Sequence, residues 1–295
     1  MDRRTFVQAS TAAAISALAP ASAAPARLPI RKGVEFSMLP DKLALLERFQ
    51  LARECGFECM EVPTTEDPAR ADAIKRAADD AKLPIHSIMN MGHWRYPLSS
   101  PDPAVVAQCI KGMETSLNNA HLFGAQTVLL VPAVVTPEVT YQQAWERSVA
   151  GIRKLLPLAE KLKVIIGVEE VWNKFLLSPL EFAHYIDKFK SPWLRAYFDV
   201  GNVVLYGYPQ DWIRTLGSRI VKLHLKDFTF RENKQIHKTV ADWVNLRDGD
   251  IDWKAIYSAL AVIEYKGDAT VELAGGDAAY LKDVAARFDL ILQGS

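Results

Sequence analysis

Val164-Ile165-Ile166-Gly167-Val168 carries no charged or strongly polar side chain, runs straight into Glu169-Glu170, and is followed by Ser178-Pro179-Leu180-Glu181. A strand that alternates apolar and polar has one wet face. A strand that does not alternate is covered on both faces, the situation of parallel sheets. The second segment reads as a helix start. Ser178 caps the free N–H groups, Pro179 fits the first helical position, and Glu181 returns to the cap. Together they form one strand-then-helix unit of a parallel α/β fold.

The same unit recurs along the chain. Further runs of this kind are Gly33-Val34-Glu35-Phe36-Ser37-Met38, Glu58-Cys59-Met60-Glu61-Val62, Ile85-His86-Ser87-Ile88-Met89 and Thr127-Val128-Leu129-Leu130-Val131. Arg195-Ala196-Tyr197-Phe198, Ile220-Val221-Lys222-Leu223-His224-Leu225 and Ala269-Thr270-Val271-Glu272-Leu273 complete the set. Amphipathic stretches separate them, with starts at Asp41-Lys42 and Asp102-Pro103 and an apolar face of Trp253, Ile256, Tyr257, Leu260 and Ile263. Eight strands, each followed by a helix, predict a closed (β/α)8 barrel, a fold of about 250 residues. An open doubly wound sheet is the weaker reading, because no Gly-x-Gly-x-x-Gly follows the first strand.

Composition agrees and excludes several classes. Of 295 residues, 49% are hydrophobic and 24% charged, and 35 basic residues balance 35 acidic ones. A nucleic-acid partner would call for a basic surplus. Three cysteines do not make a disulfide framework, so Cys55, Cys59 and Cys109 read as buried thiols. No apolar run reaches the roughly 18 residues of a membrane span. A homo-oligomer is compatible with all of this.

Residues 1–23 read as an address. Arg3-Arg4 precede a mildly apolar stretch from Phe6 to Leu18, and Ala21-Ser22-Ala23 offers small residues for cleavage. This is the pattern of a twin-arginine signal, whose passengers are exported already folded to the periplasm or beyond. Residues 24–295 then form a single catalytic barrel domain. Removing residues 1–23 takes away Arg3, Arg4 and Asp2 and leaves a net charge of about −1.

In such a barrel the chemistry sits at the C-terminal ends of the strands. The last polar residues of strands five to eight are Glu169, Asp199, His224 and Glu272. Singly, each acid could be a loop cap or an ion-pair partner. Together, three carboxylates and an imidazole make a hard mixed O/N site for one divalent cation. The oxygens suit Mn²⁺ or Mg²⁺, and the imidazole shifts the preference toward Mn²⁺, Co²⁺ or Zn²⁺.

The segments Val168-Glu169-Glu170-Val171-Trp172-Asn173, Phe198-Asp199-Val200-Gly201-Asn202, Val221-Lys222-Leu223-His224-Leu225-Lys226-Asp227 and Val271-Glu272-Leu273 resemble the strand-end motifs of the xylose-isomerase-like barrels. The nearer likeness is to the sugar (phosphate) isomerases and epimerases, including ketose 3-epimerases and hydroxypyruvate isomerase. Gly249-Asp250-Ile251-Asp252-Trp253 resembles the entry to their last helices.

The resemblance implies that Glu169, Asp199, His224 and Glu272 ligate a metal, Mn²⁺ before the others, and that Glu169 and Glu272 are also the acid/base pair. It places substrate contacts at His86, His93 and Arg95, with Asn202, Lys226, Glu61 and Trp172 as further ones. Lys226 could equally pair with Asp227 or Glu169, and Glu61 with a lysine. Trp172 and Phe175 could wall the sugar or merely pack. Glu170 replaces an asparagine often found after the metal glutamate. His121, His184 and His237 read as structural.

The chemistry is consistent. A proton on carbon beside a carbonyl is too weakly acidic for a lone carboxylate. A cation on the carbonyl and hydroxyl oxygens would stabilise the enediolate, and a second glutamate could return a proton to the opposite face. The implied activity is isomerisation or epimerisation of a small keto-sugar. The alternative is a lyase or hydrolase of 3-keto-glycosides sharing the same first step. A three-metal endonuclease lacks the histidines it would need, and a non-catalytic sugar binder would not need the acid/base pair.

The export reading carries its own test. Replacing Arg3 and Arg4 together with lysine is expected to leave the protein in the cytoplasm, as judged by cell fractionation. Unchanged export of the doubly substituted protein contradicts it.

Overall fold

Apolar strands with no wet face must be covered on both sides, and closing the sheet on itself beneath a ring of helices achieves this. The computed structural model describes residues 26–90, 92–233 and 238–295. The export signal read in residues 1–23, and His237, lie outside the described residues.

The order along the chain is β1 (Arg31–Glu35), α1 (Leu45–Glu54), β2 (Cys59–Pro63), α2 (Pro68–Ala81), β3 (Ile85–Met89), α3 (Pro103–Phe123), β4 (Thr127–Leu130) and α4 (Tyr141–Leu162). It continues with β5 (Ile165–Glu169), α5 (Pro179–Asp187), β6 (Leu194–Asp199), α6 (Pro209–Leu216) and β7 (Ile220–Leu225). The hairpin β8 (Asp227–Asn233) and β9 (Lys238–Val244) comes next, then α7 (Trp253–Val262), β10 (Asp268–Val271) and α8 (Ala278–Leu292). β1 to β7 and β10 close one parallel barrel, in the ring order β1-β10-β7-β6-β5-β4-β3-β2. All eight expected strands are present.

Local chemistry sets the helix starts. The side chains of Asp67, Asp102 and Ser178 accept backbone N–H groups at the starts of α2, α3 and α5, each with proline in the first turn. Thr140 and Gln143 cap each other at α4. The first helix differs from expectation: it begins at Leu45, and Asp41 instead pairs with Arg48 at 3.0 Å. The hairpin was not foreseen. It is seated by Asp227, whose carboxylate accepts from Phe228 N, Arg247 N and Trp253 Nε1 at 2.7–2.9 Å. Gly249 passes so close to that carboxylate and to the Phe228 carbonyl that a Cβ would collide with both. No helix among the described residues is long and apolar enough to cross a membrane.

The period of two along a strand sets the barrel interior in layers. β7 presents Lys222 and His224, with Lys226 just beyond its end; β10 presents Asp268 and Thr270, with Glu272 just beyond. The register places Asp268 opposite Lys222 and Thr270 opposite His224. Four residues of parallel strand separate floor from mouth, about 13 Å. The floor is ionic: buried Lys222 ion-pairs with buried Asp268, which Arg31 also reaches at 2.6 Å.

Removing one partner of a buried pair leaves an uncompensated charge, which costs about 3–5 kcal/mol. Asp268→Asn is therefore expected to lower the urea midpoint by that equivalent. Burial opposes the Asp268 carboxylate, but Lys222 and Arg31 outweigh it and hold its pKa down at about 2. Its unfolded value is about 3.9, so the contribution is complete above that pH and is lost as pH falls toward 2. An acid titration of stability that ignores Asp268→Asn contradicts this.

Candidate metal centre and active site

Four adjacent strands deliver the four candidate ligands to one end of the barrel. Glu169 ends β5, Asp199 ends β6, His224 lies near the end of β7 and Glu272 follows β10. Asp199 is directly opposite His224 in the β6–β7 register. One donor atom from each of the four residues falls within 4.8 Å of all the others.

Their orientation is built in. Asp199 Oδ1 accepts from the backbone N–H groups of Gly201 (2.7 Å) and Asn202 (3.0 Å), which turns Oδ2 toward the cluster, 2.8 Å from Lys226 Nζ. His224 Nδ1 lies 2.9 Å from Glu169, 3.1 Å from Glu272 and 3.9 Å from Asp199. Behind the ring, Nε2–H donates to Glu61 Oε2 at 2.7 Å, and this assigns Nδ1 as the ligating nitrogen. Glu61 is held in turn by Ser87 Oγ (2.7 Å) and Tyr197 OH (3.0 Å) on its other oxygen.

Electrostatics point to a cation. Burial disfavours a charged His224, yet the acidic groups around it, Glu61 and Glu272 among them, raise its pKa well above the usual range. Burial holds Glu169 above the ordinary carboxylate range. For Glu272, His224 and Lys226 outweigh burial and hold it below that range. Lys226 Nζ sits 2.8 Å from Asp199 and 2.7 Å from Glu272 and is one of the few positive charges offered in return. Four carboxylates around one imidazole and one lysine leave a deficit that a divalent cation would fill. The oxygen-rich donor set, with Asp199 Oδ2 turned into the cluster, fits one.

The other expected contacts separate into three groups. His93, Asn202, Lys226 and Trp172 line a cavity of about 220 Å³ together with Glu169 and Glu272. His93 is buried with Nδ1 unpartnered, and burial pulls its pKa down to about 4, so the ring is neutral at pH 7. Trp172 donates Nε1–H to Asn202 O and packs against Phe228 and Trp243, two rings that also touch each other. Phe175 instead packs among Tyr141, Trp145 and Tyr185.

Glu61 and His86 belong to the interior and not to the substrate. Glu61 is fully buried behind His224. His86 is buried lower down, at 2.7 Å from Thr270 Oγ1 and 3.6 Å from Asp268. Its place early in β3 puts it nearer the ionic floor. Arg95 lies exposed over the Tyr96 ring and lines neither cavity. Lys226 takes neither Asp227 nor Glu169 as its partner. Glu170 is buried with both carboxyl oxygens free of hydrogen bonds, and burial beside Glu169 and Asp199 raises its pKa well above the ordinary carboxylate range. His184 stacks on Trp145, His121 reaches Leu162 O, and the three cysteines are free and buried, as expected.

Sequence reading missed Glu35, Met89, Trp94 and Trp243, all of which line the mouth. Glu35 had a signal. β1 stops at Glu35, whereas the expected strand ran on to Met38, which put Glu35 in mid-strand.

Glu61 is not one of the four candidate ligands, yet its bond to His224 Nε2 sets the tautomer of that ring. Outer partners of this kind are worth about 10–100-fold in metal affinity. Glu61→Gln is therefore expected to weaken Mn²⁺ binding by that factor in calorimetric titration while one site per chain is retained. Unchanged affinity would mean that Glu61 serves only packing.

An L-ribulose-5-phosphate 3-epimerase of Salmonella paratyphi A is 26% identical over 259 residues, 82% of this chain and 86% of that protein. A D-allulose 3-epimerase from Methylomonas sp. superposes with a TM-score of 0.72 at 17% identity, over 90% of this chain and 97% of that one. A 3-keto-D-glucoside 4-epimerase from Escherichia coli gives 0.73 at 14% identity, over 87% and 98%. These two likenesses concern the fold. The model of one family matches residues 49–288, and the chain belongs to the xylose isomerase-like TIM barrel family.

Proposed function

We propose that this protein is a divalent-metal-dependent epimerase or isomerase of a small, unphosphorylated keto-sugar, working through an enediolate. The observation that carries the reading is that Glu169 and Glu272 belong to the ligand cluster and also line the cavity above it. The names of the relatives, all epimerases of sugars, support it.

Glu169, Asp199, His224 and Glu272 would hold the cation, Mn²⁺ being the preferred ion. When bound it supplies positive charge to the carbonyl and neighbouring hydroxyl oxygens of the sugar. The protein does the proton work. β5 and β10 are separated by β6 and β7 around the ring, so a sugar seated between Glu169 and Glu272 has a carboxyl on each side. One removes the proton and the other returns it, with inversion at that carbon. Lys226, fixed by Asp199 and Glu272, faces the cavity as a hydrogen-bond donor, and Trp172 offers an apolar wall.

Two features support an unphosphorylated substrate over the phosphate ester named for the Salmonella relative. Among the described residues lining the mouth, the one cation is Lys226, already engaged by two carboxylates. The helix N-terminus after β10, where such barrels commonly bind phosphate, is capped by Asp277, whose carboxylate accepts from Tyr280 N at 2.9 Å. Export through the signal read in residues 1–23 would also place the enzyme away from cytoplasmic sugar phosphates.

Glu169→Gln and Glu272→Gln are each expected to slow deuterium exchange into a ketose by about 10² or more, with the circular dichroism spectrum unchanged. Full exchange in both variants with metal bound would put the base elsewhere. A phosphate ester preferred by more than about tenfold in kcat/KM, ~1.4 kcal/mol, would overturn the substrate assignment.

A further inference from the structure

The mouth holds a carboxyl that the metal cluster does not use. Glu35 lines a second lobe of about 440 Å³ with Ser37, Leu273 and Ala274. That lobe shares Met89, Lys226, Trp243 and Glu272 with the smaller cavity above Glu169. On its own it lies in the range of about 300–1,000 Å³ typical of small-molecule sites. A keto-sugar held between Glu169 and Glu272 would lie over the smaller lobe. The larger one, with the half-exposed Trp243 ring and apolar Leu273 and Ala274, is space for something attached to that sugar.

Glu35 is placed as a donor within this lobe. Ser37 binds one of its oxygens through both N–H (3.1 Å) and Oγ–H, and among the described residues the other oxygen takes no protein hydrogen bond. Burial lifts its pKa to about 7 against those two hydrogen bonds, with Glu61 and Glu272 adding in the same direction. At about 7 this carboxyl is still partly protonated at neutral pH. It is suited to giving that proton away.

We propose that the larger lobe receives the aglycone of a keto-glycoside and that Glu35 protonates the departing glycosidic oxygen, so that the protein cleaves such glycosides by β-elimination. The proposal rests on the enediolate reading above. The bond changes balance. The proton beside the carbonyl passes to Glu169 or Glu272, and the electron pair of that C–H bond enters the enediolate. The pair then forms a carbon–carbon double bond one position along as the bond to the glycosidic oxygen breaks. That oxygen takes the proton of Glu35 and leaves as an alcohol or phenol. The sugar remains as an unsaturated ketone, and no oxidant or reductant is consumed. Return of the proton to carbon, without loss of the aglycone, is the epimerase outcome of the same intermediate.

The test incubates Mn²⁺-loaded protein in deuterated water with 3-keto-glucosides carrying methyl, phenyl and 4-nitrophenyl aglycones, and with free ketoses. Deuterium uptake and aglycone release are read in the same samples. The proposal expects release from all three glycosides, varying by less than about tenfold across the series because Glu35 supplies the proton. Glu35→Gln keeps an acceptor for Ser37 but loses the acid. It should lower the ratio of release to uptake by about 10² for the methyl glycoside, and by less than tenfold for 4-nitrophenol, which departs without protonation. Deuterium uptake without release overturns the proposal and leaves the epimerase reading standing. Wild-type release that rises more than about 10² from methyl to 4-nitrophenyl overturns the role of Glu35 without needing the variant, as does an unchanged ratio in Glu35→Gln. No uptake from any ketose or keto-glycoside overturns the enediolate reading, and this proposal with it.

Discussion

Carboxylates crowded into a low-dielectric space repel one another, and most of what surrounds the barrel mouth answers that repulsion. Glu169, Asp199, Glu272 and Glu61 all converge on His224. The protein offers small compensations: two backbone N–H groups to Asp199, the Ser87 and Tyr197 hydroxyls to Glu61, and Lys226 bridging Asp199 and Glu272. None of them neutralises the cluster. The energetic cost of holding the site together without a cation is the same quantity that would favour binding one, because affinity would come from relieving a strain the fold has already set.

The burden is spread in depth. Glu61 fixes the imidazole from behind, and the Lys222–Asp268 pair closes the barrel beneath it. Lys222 and Asp268 lie on β7 and β10, which also carry ligands, while Glu61 reaches the imidazole from β2. A strand with a charged group at every second inward position can exist only where a partner strand offers the complement at the same height, as β7 and β10 do. The barrel interior is therefore a column of matched charges more than an apolar core. The principal apolar packing lies between sheet and helices, with a small patch of Leu129, Val131, Val171 and Tyr197 facing inward.

Much of this was legible in the chain itself. Unalternating apolar runs mark strands covered on both faces, and a polar residue terminating such a run marks the reactive end, which suffices to find Glu169, Asp199, His224 and Glu272. The rule says nothing about depth. Glu61 looks like a strand-end contact in one dimension but is fully buried behind His224, and His86, the second residue of its strand, lies nearer the floor than the mouth. The hairpin escaped because Asp227–Asn233 and Lys238–Val244 are charged and mixed, and their pairing depends on Asp227 gripping the chain at Arg247 and Trp253. Long-range anchors of that kind leave no local periodicity. Glu35 was lost to a strand boundary, the least certain feature of any such reading.

The hairpin has a consequence for how such an enzyme can change. Its root at Asp227 stands directly after the lysine that touches the ligands, yet its own strands pair only with each other. Trp243 reaches over the mouth from a segment that contributes nothing to the barrel wall. Exchanges at Trp243 can reshape what enters while the four candidate ligands and their supports stay where they are. Holding the reactive ion and choosing the guest are thus assigned to different stretches of polypeptide, and mutation can explore the second task without endangering the first.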